Sequence, residues 1–143
     1  MTKIHKLPSV LIVDDLATSR RIMRDMLEEM GFSEIFESAD CATAAEYIYS
    51  GKIGIVICDY AIEANKTGVD LLRLAQTTEN SKNIPFLFVS GRADISAAEG
   101  AIRLGASAWM MKPASYPELR CKVSEMIEKA YLLSKENDKY DYL

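Results

Sequence analysis

Five side chains that could take part in chemistry each follow an apolar run. They are two adjacent acids, a third acid, a hydroxyl and an ammonium: Asp14, Asp15, Asp59, Ser90 and Lys112. Three carboxylates that lie close together repel one another unless a cation joins them. Carboxylate oxygens suit Mg²⁺, which also takes phosphate oxygens and water as ligands. A carboxylate can attack phosphorus, and an ammonium and a hydroxyl can bind the phosphoryl oxygens. The set therefore predicts phosphoryl transfer to a carboxylate with Mg²⁺.

The runs that precede these residues have the composition of strands that are buried on both faces. They are rich in Val, Ile, Leu, Phe and Met, and they cover residues 10–13, 53–58, 86–89 and 108–111. Continuous apolar runs of this length are typical of parallel sheets covered by helices on both sides. In such a sheet, ligands bind beyond the carboxyl ends of the strands. All five reactive side chains are therefore expected in one crevice.

Helical patterns alternate with the strands. The pattern predicts helices at 17–30, 40–50, 68–77, 94–105 and from 115 onward, a short second strand at 32–37, and a polar loop at 62–67. This alternation predicts a doubly wound α/β domain, with a five-stranded parallel sheet and helices on both faces. The flavodoxin-like strand order 2-1-3-4-5 would place strands one and three side by side. Asp14 and Asp15 would then neighbour Asp59.

Composition limits the class of protein. The chain has 143 residues, 49% of them apolar, which suits one folded domain. Its net charge is -4, so it has no overall basic field that would attract nucleic acid or a membrane. The spacing of Cys41, Cys58 and Cys121 fits no zinc or redox motif, so reduced structural cysteines are expected. No apolar stretch reaches the roughly 18 residues that a membrane span needs. We expect a soluble, cytoplasmic protein.

Taken together, the motifs resemble those of a known family. The chain is similar to the receiver domain of two-component response regulators, close to the chemotaxis single-domain type. The likeness covers about residues 8–129 and rests on stretches 10–15, 18–22, 57–60, 88–91, 105–106 and 112–113. It implies a receiver domain over residues 1–129, followed over 130–143 by an extension of the last helix and a polar C-terminal tail.

The resemblance implies a role for each acid. Asp59 would accept a phosphoryl group from a histidine kinase or a phosphotransfer protein. Asp15 would ligate Mg²⁺ directly and Asp14 mainly through water, while Asp59 and the backbone carbonyl of Ala61 would complete the protein ligands. The chain would be a signalling switch and not an enzyme, although it would promote its own phosphorylation and dephosphorylation.

The resemblance also implies which residues would respond to phosphorylation and which surface would bind a target. Ser90 and Lys112 would bind the phosphoryl oxygens, and Trp109 occupies the family's aromatic switch position, usually tyrosine or phenylalanine. The face formed by helix four, strand five and helix five would then bind a downstream target protein. The Lys112–Pro113 peptide bond is expected to be cis. The apolar stripe of the last helix extends past the usual end of a receiver, so a homodimer contact is a further expectation.

The chain departs from the family pattern after Asp59. The loop there usually contains a Met-Pro pair, whereas here it runs from Tyr60 to Gly68 without one and is one residue longer. Two residues beyond Asp59 stands Ala61, and two beyond Ser90 stands Arg92. In the family these two positions influence how water reaches the phosphoryl group.

Three other functions are alternatives. A degenerate receiver would fold but act as a phosphorylation-independent interaction module, which the complete set of acids, hydroxyl and lysine disfavours. A flavodoxin-like redox carrier needs a phosphate-cradling loop after strand one, but residues 14–17 are acidic and lack glycine. An aspartate-based phosphatase has two aspartates on the first strand with one residue between them, whereas Asp14 and Asp15 of this chain are direct neighbours in the sequence.

Overall fold

A computed structural model describes the backbone of residues 7–141 and the side chains of residues 7–132. Strands and helices alternate along this part of the chain. The strands are β1 Val10–Val13, β2 Ile35–Ser38, β3 Ile55–Asp59, β4 Ala61–Glu63, β5 Lys66–Thr67, β6 Phe86–Ser90 and β7 Ala108–Met111. The helices are α1 Ala17–Glu29, α2 Cys41–Tyr49, α3 Gly68–Ala75, α4 Ile95–Arg103 and α5 Tyr116–Asp141.

Five of the strands form one parallel sheet in the order β2-β1-β3-β6-β7. Since β6 and β7 are the fourth and fifth strands of this sheet, the predicted flavodoxin-like order is confirmed. The register pairs Val13 of β1 with Cys58 of β3, and Asp59 with Val89 of β6. Asp14 and Asp59 therefore leave neighbouring strands at the same edge.

The sheet is buried on both faces because alternate side chains point to opposite sides. On one face the strands pack against α2, α3 and α4, and this core includes Leu11, Cys58, Phe88, Ile48, Leu72 and Ala101. On the other face they pack against α1 and α5, and this core includes Ile12, Ile57, Val89, Leu27, Leu119 and Val123. The all-apolar strands of the sequence correspond to this two-sided burial.

Local signals mark several helix ends as predicted. The Asp40 carboxylate accepts from the Thr43 N–H at the start of α2, and the Asp94 carboxylate accepts from the Ala97 N–H at the start of α4. Gly31 has a φ of +102°, which a residue without Cβ adopts at little cost, and it ends α1. The predicted start of the second strand was three residues early: the N–H of Phe32 bonds back to the Leu27 carbonyl at 3.0 Å and closes the helix end, so β2 begins at Ile35.

The polar loop predicted at residues 62–67 is wrong. β4 and β5 pair there as a short antiparallel ribbon, with Ala61 opposite Thr67. Ile62 is only 2% exposed because its side chain packs into the core beside α2 and α3. At the other end of the chain, α5 continues to Asp141. Among the residues that the structure describes, none of the helices has the length and hydrophobicity of a membrane span.

Candidate functional site

The three predicted carboxylates meet at the carboxyl edge of β1 and β3. One oxygen from each of Asp14, Asp15 and Asp59 lies within 4.8 Å of the others. Asp14 is buried, Asp59 is partly buried, and Asp15 is exposed. The cluster is therefore open to solvent on the side of Asp15.

Lys112 joins two of these acids, although it lies far from both in the sequence. Its Nζ atom donates to Asp14 Oδ2 at 2.9 Å and to Asp59 Oδ2 at 3.0 Å. Its backbone N–H donates to the Ser90 carbonyl at 2.8 Å, which ties the end of β7 to the end of β6. The peptide bond from Lys112 to Pro113 is cis, as predicted.

Burial and charge act in opposite directions in this cluster. Burial raises the pKa of Asp59 above its usual 3.8 and the charge of Asp14 adds to this effect, while Lys112 opposes it. Burial tends to lower the pKa of Lys112, but its bonds to Asp14 and Asp59 outweigh that effect and leave the pKa raised. Lys112 is thus a cation between Asp14 and Asp59, and Asp59 loses its proton less readily than an ordinary aspartic acid.

Both carboxylate oxygens of Asp14 accept hydrogen bonds. Oδ2 accepts from Lys112, and Oδ1 accepts from the N–H of Leu16 at 2.9 Å. The Asp14 carbonyl accepts from Arg20 Nη1 at 2.8 Å, and the same guanidinium donates to Glu37 on β2 through Nε. Asp14 is therefore held firmly from several sides, which supports the prediction that Asp15 faces a metal more directly.

The donor set fits Mg²⁺. The carboxylates carry three negative charges and Lys112 one positive charge, so two negative charges remain among these four side chains. A divalent cation with oxygen ligands would neutralise this remainder. Ala61 follows two residues after Asp59, and its N–H donates to Asp59 Oδ1 at 3.3 Å. The metal-binding role of its carbonyl stays a prediction.

The structure places Ser90 beside the site, but its hydroxyl bonds within its own loop. The side chain is buried, and its Oγ donates to the Arg92 carbonyl at 3.1 Å and accepts from the Arg92 N–H at 3.2 Å. Ser90 and Arg92 line a cavity of about 570 Å³ together with Asp59 and Lys112. Asp59 and Ser90 therefore face the same cavity.

Trp109 belongs to an aromatic cluster on the face of the sheet that packs against α2, α3 and α4. Its ring centroid lies 5.0 Å from that of Tyr60 and 6.2 Å from that of Phe88. Tyr60 and Phe88 also meet edge to face at 6.2 Å. The carbonyl of Trp109 accepts from Lys122 Nζ on α5 at 2.6 Å. The predicted switch residue is thus in contact with the residue that follows Asp59.

A second cleft opens on the other side of the acids, between α1 and the start of α5. It has a volume of about 350 Å³, and its walls are mainly apolar: Ile12, Val13, Ile22, Met23, Met26, Ile57, Val89, Pro113 and Ala114. Asp14, Asp59 and Lys112 reach its polar end. A partner that approaches Asp59 along α1 would meet apolar surface first and the charged cluster next.

Two contacts near the site were missed at the level of sequence. The first is the packing of Tyr60 on Trp109, which the alternation along β3 could have indicated because Cys58 and Tyr60 share a face. The second is a hydrogen bond from the N–H of Cys41 to the Glu63 carboxylate at 2.9 Å. No local motif signals the second contact, because the ribbon that carries Glu63 was itself unexpected.

Comparison with known proteins identifies the family of the chain. The family model of the response regulator receiver domain matches residues 10–124. The chemotaxis protein CheY of Pseudomonas aeruginosa is 32% identical over 120 residues, which cover 84% of this chain and 96% of that protein. CheY-3 of Vibrio cholerae is 29% identical over 126 residues, which cover 88% of this chain and 96% of that protein.

A solved structure shows the same fold. The CheY-like response regulator receiver domain protein from Methanospirillum hungatei superposes with a TM-score of 0.78 at 23% identity, covering 87% of this chain and 97% of that one. The family match spans most of the chain, and the fold agrees with it. This chain therefore belongs to the response regulator receiver domain family.

Proposed function

We propose that this chain is a phosphorylation-dependent switch of two-component signalling, in which Asp59 accepts a phosphoryl group from a histidine kinase or a phosphotransfer protein. The observation that carries this proposal is the position of Lys112 Nζ between Asp14 and Asp59, beside the three clustered carboxylates. Such an arrangement suits phosphoryl transfer, which depends on positioning and on charge neutralisation. The likeness to relatives named as chemotaxis proteins supports a cytoplasmic location.

The transfer step uses Asp59 as the nucleophile. One of its oxygens forms the bond to phosphorus, and the bond from phosphorus to the donor nitrogen breaks with its electron pair on the donor. Lys112 is close enough to turn from the carboxylates towards the phosphoryl oxygens, since it already bonds to Asp59. Mg²⁺ held by Asp14, Asp15, Asp59 and the Ala61 carbonyl would supply further neutralisation of those oxygens.

The apolar cleft beside α1 is the proposed approach for the donor protein. Ile22 is exposed on α1 next to this cleft, and Met23 and Met26 line it. Methionine side chains adapt to different partner surfaces. A helical donor could cover these side chains and present a phosphohistidine at the charged end of the cleft.

The response would be transmitted to a different face, beyond Ser90 and Trp109. Ser90 would exchange its bonds to Arg92 for a bond to the phosphoryl group, and the aromatic cluster around Trp109 would rearrange in turn. Large apolar side chains stand exposed on α4 and β7, and Ile95 is 76% exposed. This face, made of α4, β7 and α5, would bind the downstream target, and exposed Tyr131 and Leu132 on α5 mark a surface for a homodimer.

The test is phosphorylation in vitro. Acetyl phosphate and Mg²⁺ should add one phosphoryl group to the protein, detected by intact-mass measurement, and Asp59→Asn should abolish the addition. Asp25→Asn is a matched control, because Asp25 is exposed and pairs with Arg21 on α1 away from the site. Undiminished labelling of the Asp59 variant would refute the assignment. A wild-type protein that binds partners but never becomes labelled would be a degenerate receiver instead.

A further inference from the structure

The ribbon of β4 and β5 begins directly after Asp59 and is attached to two helices. On the α3 side, the Thr67 hydroxyl accepts from the Val69 N–H, and the Asp70 carboxylate accepts from the Thr67 N–H. The Thr67 side chain also accepts from the Asp70 N–H, and this reciprocal pair of bonds between Thr67 and Asp70 is a capping box that fixes β5 to the start of α3. Ile62, between Ala61 and Glu63, packs into the core.

On the α2 side, Glu63 makes the attachment. Its Oε1 atom accepts from the backbone N–H of Cys41, the first residue of α2, at 2.9 Å. The first N–H groups of a helix have no partner within the helix and favour a negative charge. Asp40 caps the Thr43 N–H, so Glu63 takes a different N–H of the same helix end. The carboxylate thus connects the ribbon to a helix 22 residues earlier in the chain.

The attachment continues to Asp59 through a short path. Glu63 and Ala61 belong to the same three-residue strand, and Ala61 pairs with Thr67 across the ribbon. The Ala61 N–H donates to Asp59 Oδ1, which orients the carboxylate of Asp59. The Tyr60 N–H donates to the Val89 carbonyl at 2.9 Å and holds the intervening residue on β6. A displacement of β4 would therefore move the Ala61 backbone relative to Asp59.

We propose that Glu63 is a positioning residue for the carboxylate site, which it holds ready for Mg²⁺ by fastening β4 to the N-terminus of α2. The inference rests on the proposed function, since it takes Asp59 and the Ala61 carbonyl as ligands. Groups that hydrogen-bond a ligand directly typically change metal affinity by about 10- to 100-fold when removed. Glu63 acts through two residues of backbone, so its loss should weaken Mg²⁺ binding by roughly 3- to 10-fold.

Two variants separate the hydrogen bond from the charge of Glu63. Glu63→Gln removes the charge and keeps an oxygen that can accept from Cys41. Cys41→Pro keeps the charge and removes the N–H. Proline suits the first position of a helix, and Asp40 before it has an extended backbone (φ −147°, ψ 166°) that a following proline tolerates. Glu79→Ala is the control for charge alone, because Glu79 is 86% exposed and pairs with Lys82.

The experiment measures Mg²⁺ dissociation constants by isothermal titration calorimetry, with circular dichroism to verify folding. Glu63→Ala and Cys41→Pro should each weaken binding by roughly 3- to 10-fold, the double variant no more than either one, and Glu63→Gln and Glu79→Ala by less than about twofold. If Glu63→Ala fails to fold, Glu63→Gln and Cys41→Pro still decide between bond and charge.

Three results would overturn the inference. Wild-type affinity in Glu63→Ala and Cys41→Pro would show that the attachment does not affect the site. A loss in Glu63→Gln as large as in Glu63→Ala, with Cys41→Pro unchanged, would show that the charge acts through space. A wild-type protein that binds no Mg²⁺ would refute the proposed function together with the inference, and this outcome differs from the other two.

Discussion

The two sides of the crevice share one sheet edge but differ in how their polar groups are bonded. On the acid side, formed by Asp14, Asp15, Asp59 and Lys112, the Lys112 ammonium bonds to Asp14 and Asp59, and Asp15 lies beside them. On the switch side, formed by Ser90 and Trp109, the Ser90 hydroxyl bonds to its own loop and the indole packs on Tyr60.

This difference has a physical consequence for each side. If Asp59 is the acceptor, as proposed, the charges of the acid side are already close to the reacting group, and Lys112 has only to turn towards the phosphoryl oxygens. The switch side has to exchange existing bonds for new ones before it can respond. A local charge change that favours one of two arrangements is the usual basis of such a switch. Under the proposed function, phosphorylation would therefore need less rearrangement than the response.

The largest expected effect tests whether phosphorylation on the acid side depends on the Lys112 ammonium. Lys112→Met should slow phosphorylation by acetyl phosphate on the order of 10²-fold, because the ammonium that neutralises the phosphoryl oxygens is lost. Lys82→Met is the control, since Lys82 is a surface lysine paired with Glu79. Rates come from intact-mass time courses in Mg²⁺. A loss below about threefold would mean that the acid side is not prepared by Lys112.

The next effect tests the crowding of carboxylates. Asp15→Ala should raise the free energy of unfolding without metal by about 1–2 kcal/mol, because it removes a like charge from the cluster. Asp59→Asn should also raise it, by less, because Asp59 bonds to Lys112 and the variant loses that ion pair. Urea melts in chelator measure both values. Clear destabilisation by both substitutions would mean that the acids are not crowded.

The pH dependence of the stability of Asp59→Asn tests whether the pKa of Asp59 is raised in this cluster. Because burial raises the pKa of Asp59, its protonated form favours the folded state, and the stability it contributes is lost as pH rises above 3.8 through the raised pKa. The variant cannot ionise there, so its advantage over the wild type should grow as pH rises from about 3.8 through the raised pKa of Asp59, and then level off. Urea melts across this range measure the difference. An advantage that shrinks with rising pH would contradict a raised pKa.

The smallest effect concerns the switch side. Trp109 is the one tryptophan in the sequence, so its emission reports this region without a label. Beryllofluoride with Mg²⁺, which mimics a phosphoryl group, should shift or quench the emission because Trp109 changes its contact with Tyr60. Ser90→Ala should reduce the change. Unchanged emission, with binding at Asp59 established by another probe, would show that Trp109 is fixed core and that the response travels through α4.

Much of the architecture could be predicted because it depends on local patterns. Four apolar runs indicated β1, β3, β6 and β7 of the main sheet, and the parallel sheet then implied that Asp14 and Asp59 meet at one edge. The caps at Asp40 and Asp94 follow from side chains that bond to N–H groups three residues away. Such contacts involve near neighbours, so the sequence contains the information in one short window.

Other features were decided by contacts between distant residues. Tertiary packing buried Ile62 and turned a predicted polar loop into a ribbon, and it brought Glu63 to the N-terminus of α2. It also decided the partner of the Ser90 hydroxyl, which bonds to the backbone of Arg92. A serine hydroxyl can bond to many groups, so the residue type alone does not predict this partner. The sequence by itself indicated the strands, the helices and the candidate reactive side chains, because strand composition and helix caps are local properties, and the rules of doubly wound sheets then indicated the strand order. Only the tertiary structure decided which of those side chains are already bonded together, because hydrogen-bond partners depend on how separate helices and strands pack.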